Sequence, residues 1–162
     1  MNKRTIIIIA IIFFVFGFFL RPPLDGGKIT SLYGFRLQFS RAFHRGTDIG
    51  HTVGVNINSI SWGTVRSTGY ESRGGNFVMI THYRYIETRY YHLHTINVSA
   101  GDKVNPNSKI GTLGNTGQST GAHLHYELRV FGIPLPPHLL CTPGRVLKVI
   151  GFYKVTDYIM NI

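Results

Sequence analysis

Residues 55–60 read Val-Asn-Ile-Asn-Ser-Ile, an alternation of apolar and polar positions with the period of a half-buried strand. Residues 76–80 form a more continuous apolar run, and residues 90–93, 109–113 and 124–130 extend the series of short strand-like segments. Gly63, Gly74, Gly75, Gly101, Gly114 and Gly117 punctuate it. Short strands separated by regular turn signals predict an all-β sandwich or barrel-like body. No internal repeat is visible, and no stretch reads as a long amphipathic helix. Pro134, Pro136, Pro137 and Pro143 close the strand region, and the apolar, aromatic segment 145–162 is assigned no element.

The N-terminus has a different pattern. Lys3 and Arg4 precede an unbroken apolar run over residues 5–20, which ends at Arg21-Pro22-Pro23. As a helix the run spans roughly 24 Å at ~1.5 Å per residue, somewhat short of the ~30 Å of a hydrocarbon core. Flanking Lys3, Arg4 and Arg21 can snorkel to close part of that gap. A cleaved signal peptide would share the charged start and the apolar stretch. However, no small-x-small cleavage site precedes Arg21, and no polar face marks the run as a buried core helix. The expectation is an N-terminal transmembrane helix over residues 1–21, followed by a linker over 22–28. Lys3 and Arg4 would lie on the cytoplasmic side and the body outside.

Composition adds two constraints. The formal net charge is +10, which attracts polyanions, but the basic residues are scattered with no run of five. Without a basic run or a recognition motif, nucleic acid is excluded as the expected partner. The chain has one cysteine, Cys141, so any metal must be held by histidine and carboxylate.

Of the eight histidines, three groupings matter. His44 and Asp48 stand four apart around Gly46, so on a strand both side chains share a face. His123, His125 and Glu127 share one strand face, with Leu124 and Tyr126 on the other. His92 and His94 also share a face on the same reading. Taken singly, each grouping has an ordinary explanation in surface ion pairs or polar strand edges. Together they reach the count of a catalytic zinc site, three protein ligands with a fourth position open. His44, Asp48 and one histidine of the His-Leu-His pair supply it. A metal there would lower the pKa of water toward ~7 and polarise a carbonyl, leaving the other histidines to handle protons.

At this point the residues resemble the LytM/lysostaphin-type zinc endopeptidases of cell walls, the M23 peptidases. The likeness runs from about Ile29 to Pro137. It starts with Ile29-Thr30-Ser31-Leu32-Tyr33-Gly34-Phe35-Arg36 and continues through His44-x-Gly46-x-Asp48, Gly54, Gly63 and Val65. Gly75-Asn76-Phe77-Val78, Tyr91-His92-Leu93 and Gly101-Asp102-x-Val104 follow. The most specific stretch is Ile110-Gly111-x-x-Gly114-x-Thr116-Gly117-x-Ser119-Thr120-Gly121-x-His123-Leu124-His125-x-Glu127. Departures occur at His51-Thr52, Asn56, Asn58-Ser59 and Pro136-Pro137, which bear on packing and groove edges rather than on the metal set.

The resemblance implies a compact antiparallel β-sheet with a substrate groove over the metal. It implies zinc held by His44, Asp48 and His125, with His92 and His123 as the catalytic pair. Glu127 stands where it could orient a site side chain. The peptidase domain would cover residues 29–139, with a C-terminal tail over 140–162. The implied activity is zinc-dependent hydrolysis of peptide cross-links or stem peptides of peptidoglycan. The alternative is a non-catalytic module of the same family that recruits or activates a cell-wall amidase. The expected partners are peptidoglycan, the membrane through the anchor, and proteins of wall synthesis or hydrolysis. The expected location is the inner (cytoplasmic) membrane, single-pass, with the domain facing the periplasm or wall.

Overall fold

The computed structural model describes residues 22–36, 43–82 and 84–137. The apolar run 5–20 and the tail 140–162 lie outside the described residues. Among the described residues there is no helix long and apolar enough to cross a membrane.

The body is all-β. Its strands are β1 (Lys28–Ser31), β2 (Gly34–Phe35), β3 (Phe43–His44), β4 (Thr47–Gly50), β5 (Asn56–Asn58) and β6 (Gly63–Glu71). They continue with β7 (Gly75–His82), β8 (Ile86–Ile96), β9 (Lys103–Val104), β10 (Lys109–Leu113), β11 (His123–Val130) and β12 (Ile133–Leu135). All pairings are antiparallel, in the order β1-β4-β11-β8-β7-β6-β9, while β2 and β3 form a separate two-stranded sheet. The predicted segments 76–80, 90–93, 109–113 and 124–130 all fall on strands. The alternation at 55–60 is only partly a strand, because Ser59, Ile60 and Ser61 turn inward as a buried connection.

The sheet branches, and the branches position the site. One edge of β8 pairs with β11 as far as Tyr91↔His125, then with β10 from Leu93↔Leu113 onward. His92 sits at the fork with φ of 62°, and its backbone amide donates to the Gly74 carbonyl at 2.8 Å. A left-handed conformation is uncommon for a residue other than glycine. Here it marks a bulge, since the β7–β8 register shifts between Asn76 and Val78. The fork overturns the expectation that His92 and His94 share a face. His92 is buried with Tyr91 and Leu93 on either side, whereas His94 is exposed.

One face of the sheet is the core. Val65, Val78, Ile80, Tyr90, Leu113, Leu124 and Tyr126 project into it, with Ile57, Ile60 and Ile110 closing it from β5 and β10. Each such side chain contributes about 1.5–3 kcal/mol by leaving water. The alternate residues His125, Glu127, Tyr91, Arg89 and Glu87 occupy the opposite, open face.

His82 is a buried titratable residue beside the core, 1% exposed. Its Nδ1 donates to the Trp62 carbonyl at 2.9 Å, and its Nε2 lies 2.7 Å from the Thr88 hydroxyl. The sequence offered no role for it. The structure makes it a neutral tie between β7, β8 and the turn before β6. Burial holds this imidazole below its ordinary value, with the Trp62 carbonyl acting in the opposite sense. In the unfolded chain the ring titrates near ~6.5. Below that pH the unfolded chain binds a proton that the fold refuses. This contribution is therefore complete above about pH 6.5 and is lost as the pH falls from there toward the folded pKa. Urea midpoints of the native protein are expected to drop more steeply between neutral and mildly acidic pH than those of His82→Gln. Equal slopes in the two proteins would refute this role.

Candidate metal centre

His44 and Asp48 were expected on one strand, but the chain breaks between them. His44 ends β3, Asp48 lies in β4, and Gly46 makes the corner. The corner presses against β11. A Cβ on Gly46 would lie 2.5 Å from the Tyr126 carbonyl oxygen and 2.9 Å from His125 Nε2. Only glycine lets the corner close this tightly. The β4–β11 ladder places Asp48 opposite His125, and β11 alternates as predicted, with His123 and His125 on the open face and Leu124 and Tyr126 in the core.

His44 Nε2, Asp48 Oδ1 and His125 Nδ1 converge, all within 4.8 Å of one another. Nε2 of His44 is 3.1 Å from Asp48 Oδ1 and 3.0 Å from His125 Nδ1, and His125 Nδ1 is 2.7 Å from the same carboxylate oxygen. The ring tautomers follow from the remaining partners. His44 Nδ1 donates to the Leu32 carbonyl at 2.7 Å, and His125 Nε2 faces Glu127 Oε1 at 3.4 Å. Each ring thus turns the lone pair of its other nitrogen toward Asp48. Two lone pairs and a carboxylate oxygen at these distances repel unless a cation sits among them. The donor set therefore fits a metal ion, and two imidazoles with one carboxylate suit zinc.

Charge agrees with the geometry. Burial alone would raise the Asp48 carboxyl, but hydrogen bonding to His125 and His44 outweighs it and holds the group far below the usual carboxylate range. Burial lowers His125, and Asp48 with Glu127 more than reverse this, so its value is raised. The pocket is built around positive charge: a proton when nothing else is there, a metal cation when one is available.

The other two site histidines stand beside this cluster. His92 Nδ1 donates to the Thr116 carbonyl at 2.8 Å, and His123 Nδ1 donates to the Gly121 carbonyl at 2.8 Å, with the Ser119 hydroxyl 3.1 Å away. Both leave Nε2 available, and His123 Nε2 lies 3.9 Å from Asp48 Oδ1. The rings of His92 and His123 are 4.6 Å apart. Burial holds His92 below its ordinary value, so it is neutral and able to take a proton at neutral pH. The Thr116 segment is itself tied down. Its hydroxyl donates to the Leu93 carbonyl at 2.9 Å and accepts from the Asn76 amide at 3.0 Å. Gly75, with φ of 66°, permits the approach of this segment to β7.

Two supporting residues had no firm role in the sequence reading. Arg36 Nη2 donates to Asp48 Oδ2 at 2.7 Å, which leaves Oδ1 for the cluster. Its only signal was its place in the Ser-x-aromatic-Gly-x-Arg segment. Glu127 orients His125 and is held by Arg129 Nε at 2.9 Å. Groups that orient a ligand from behind are worth about 10–100-fold in metal affinity. Glu127→Ala is therefore expected to weaken zinc binding by about that factor, and Glu127→Gln, which keeps an acceptor oxygen, to recover part of it. Unchanged affinity in a competition titration with a chelating dye would assign Glu127 to packing alone. His51, His82 and His94 take no part in the cluster.

An antiparallel sheet with a His/Asp cluster fit to hold a metal on its open face, flanked by two further imidazoles, is an arrangement suited to metal-assisted hydrolysis. The chain belongs to peptidase family M23, whose model matches residues 42–137. It is 39% identical over 129 residues to the peptidoglycan DD-endopeptidase ShyC of Vibrio cholerae, covering 77% of this chain and 30% of that protein. It is 35% identical over 130 residues to the DD-carboxypeptidase/endopeptidase Mpg of Neisseria meningitidis, covering 78% and 30% respectively. The chain thus spans under a third of the length of these relatives. Among solved structures, a zinc-containing peptidase from Vibrio cholerae superposes with a TM-score of 0.69 at 34% identity, covering 73% of this chain and 38% of that one. The catalytic domain of lysostaphin from Staphylococcus simulans superposes with a TM-score of 0.64 at 30% identity, covering 68% and 89%.

Proposed function

We propose that this chain is a zinc-dependent endopeptidase that hydrolyses peptide cross-links or stem peptides of bacterial peptidoglycan. The observation that carries the reading is the orientation of the four imidazoles. Each spends one nitrogen on a protein oxygen and leaves the other available to the cleft. His44, Asp48 and His125 would hold the zinc. Zinc held there supplies Lewis-acid chemistry, drawing electron density from an amide carbonyl and making water easier to deprotonate.

The chain's own residues do the rest. Arg36 and Glu127 keep Asp48 and His125 in place. His92, neutral through burial, accepts a proton at Nε2 from the attacking water. His123 presents Nε2 to the same cleft, where it would meet the oxyanion that develops on the carbonyl or hand a proton to the departing amine. The names of the relatives favour a cross-link between D-amino acids as the bond. The charged start and apolar run of residues 3–20 support a single-pass anchor in the inner membrane, with this domain on the wall side.

The test is digestion of purified peptidoglycan by the full chain in detergent, with zinc, with a chelator, and with the His123→Ala protein, read by mass spectrometry. Zinc-dependent release lost in the variant supports the enzyme, and the fragment masses name the bond. Intact peptidoglycan in the presence of a folded, zinc-loaded protein would overturn the enzyme reading in favour of an amidase-recruiting module.

A further inference from the structure

Away from the His/Asp cluster, the turn between β11 and β12 is joined to the segment that leads into β8. The turn between β11 and β12 consists of Phe131 and Gly132, with φ of 51° and 78°. Such turns favour asparagine and glycine, and an aromatic residue at positive φ is strained. Phe131 is nevertheless there, 69% exposed, and its ring stacks on half-exposed Tyr85 at 4.5 Å. The Phe131 amide donates to the Tyr85 carbonyl at 2.8 Å, which fixes the turn to that segment. The Arg84 guanidinium lies over the Tyr85 ring at 5.5 Å. Beside this platform is an open cavity of about 350 Å³, whose lining among the described residues includes Arg66, Arg84 and Arg89 and one acid, Glu87. That acid is already engaged by both Arg66 and Arg89. An exposed aromatic held at positive φ points to a role beyond packing.

The position of the cavity says what fills it. Glu87 and Arg89 belong to the open face of the sheet, the face that carries His123, His125 and Glu127. From His125 to Phe131, β11 advances about 20 Å at ~3.3 Å per residue. A long polymer lying along this face reaches both places. Resting on the proposed function, we infer that this arginine-aromatic cavity is a second binding site for the same wall polymer, taking a sugar ring with a nearby carboxylate. The C–H face of the sugar would lie against the Tyr85–Phe131 platform, and the carboxylate would meet the guanidinium groups.

The experiment uses the full zinc-loaded chain and an Arg84→Gln/Phe131→Asn variant. Asparagine suits the left-handed turn, so the variant is expected to unfold at the same temperature or higher. The concentration of intact peptidoglycan sacculi giving half-maximal co-sedimentation, and KM for their digestion, should rise about tenfold with kcat nearly unchanged, reflecting the lost ring and guanidinium contacts. Cleavage of a glycan-free cross-linked peptide, too short to span the two sites, should be unaffected. Equal losses on both substrates, or unaltered sacculus binding, would overturn the inference. So would a patch-dependent affinity for anionic phospholipid vesicles in place of sacculi. If the native chain cut neither substrate, the enzyme reading would fail, while co-sedimentation would still decide whether this cavity holds the polymer.

Discussion

A His125→Ala protein is expected to keep its sheet and lose its metal, whereas His123→Ala is expected to keep the metal and lose cleavage. His125 supplies Nδ1 to the cluster, 2.7 Å from Asp48 Oδ1 and 3.0 Å from His44 Nε2. Removing it leaves two ligands, and zinc affinity should fall by more than the ~10–100-fold that supporting groups are worth. His123 stands outside the cluster, with Nε2 3.9 Å from Asp48 Oδ1. Its loss removes a proton-handling group and should lower kcat by about 10²–10⁴-fold. Metal content by plasma mass spectrometry and product release from peptidoglycan, measured on both variants, separate the two roles. Full zinc in His125→Ala, or its loss in His123→Ala, would show that the ligands are wrongly assigned.

The second large effect should come from a residue with no side chain. Gly46→Ala places a methyl group 2.5 Å from the Tyr126 carbonyl oxygen and 2.9 Å from His125 Nε2. The oxygen belongs to the β11 backbone, so the β3–β4 corner must lift from the sheet. Overpacking of this kind costs about 1–3 kcal/mol. The same displacement separates His44 and Asp48 from His125. Zinc affinity should therefore fall together with the unfolding midpoint. A variant that binds zinc like the native chain would show that the corner has more room than the geometry gives it.

What the sequence revealed follows from how local each signal is. The two-residue period of β11 put His123, His125 and Glu127 on one face and Leu124 and Tyr126 on the other, as found. His44 and Asp48 were correctly paired but for an incomplete reason. Four-residue spacing suggested one strand, whereas a glycine corner folds two strands together. The expected partnership of His92 and His94 failed because strand alternation assumes an unbroken ladder, and β8 changes neighbours at His92. The support given by Arg36 could not be read locally, since it depends on a contact between the end of β2 and Asp48 in β4. The stacked rings of Tyr85 and Phe131 left no trace in any hydrophobic pattern, because the stack joins segments far apart in sequence. The anchor and the tail were read from apolar composition, and both lie outside the described residues.

The β4–β11 ladder also bears on when the metal can enter. Asp48 and His125 are separated by 77 residues of chain, and nearly all of the sheet lies between them in sequence. Small zinc modules gather ligands from short spacings, so metal capture organises an otherwise unfolded peptide. Here the ligands meet only after a long loop has closed, a slow event in a topology dominated by distant pairings. Zinc held by these residues would therefore act late, as a clasp on a sheet that has already formed. An emerging chain would have no complete binding site until β11 had been synthesised and docked.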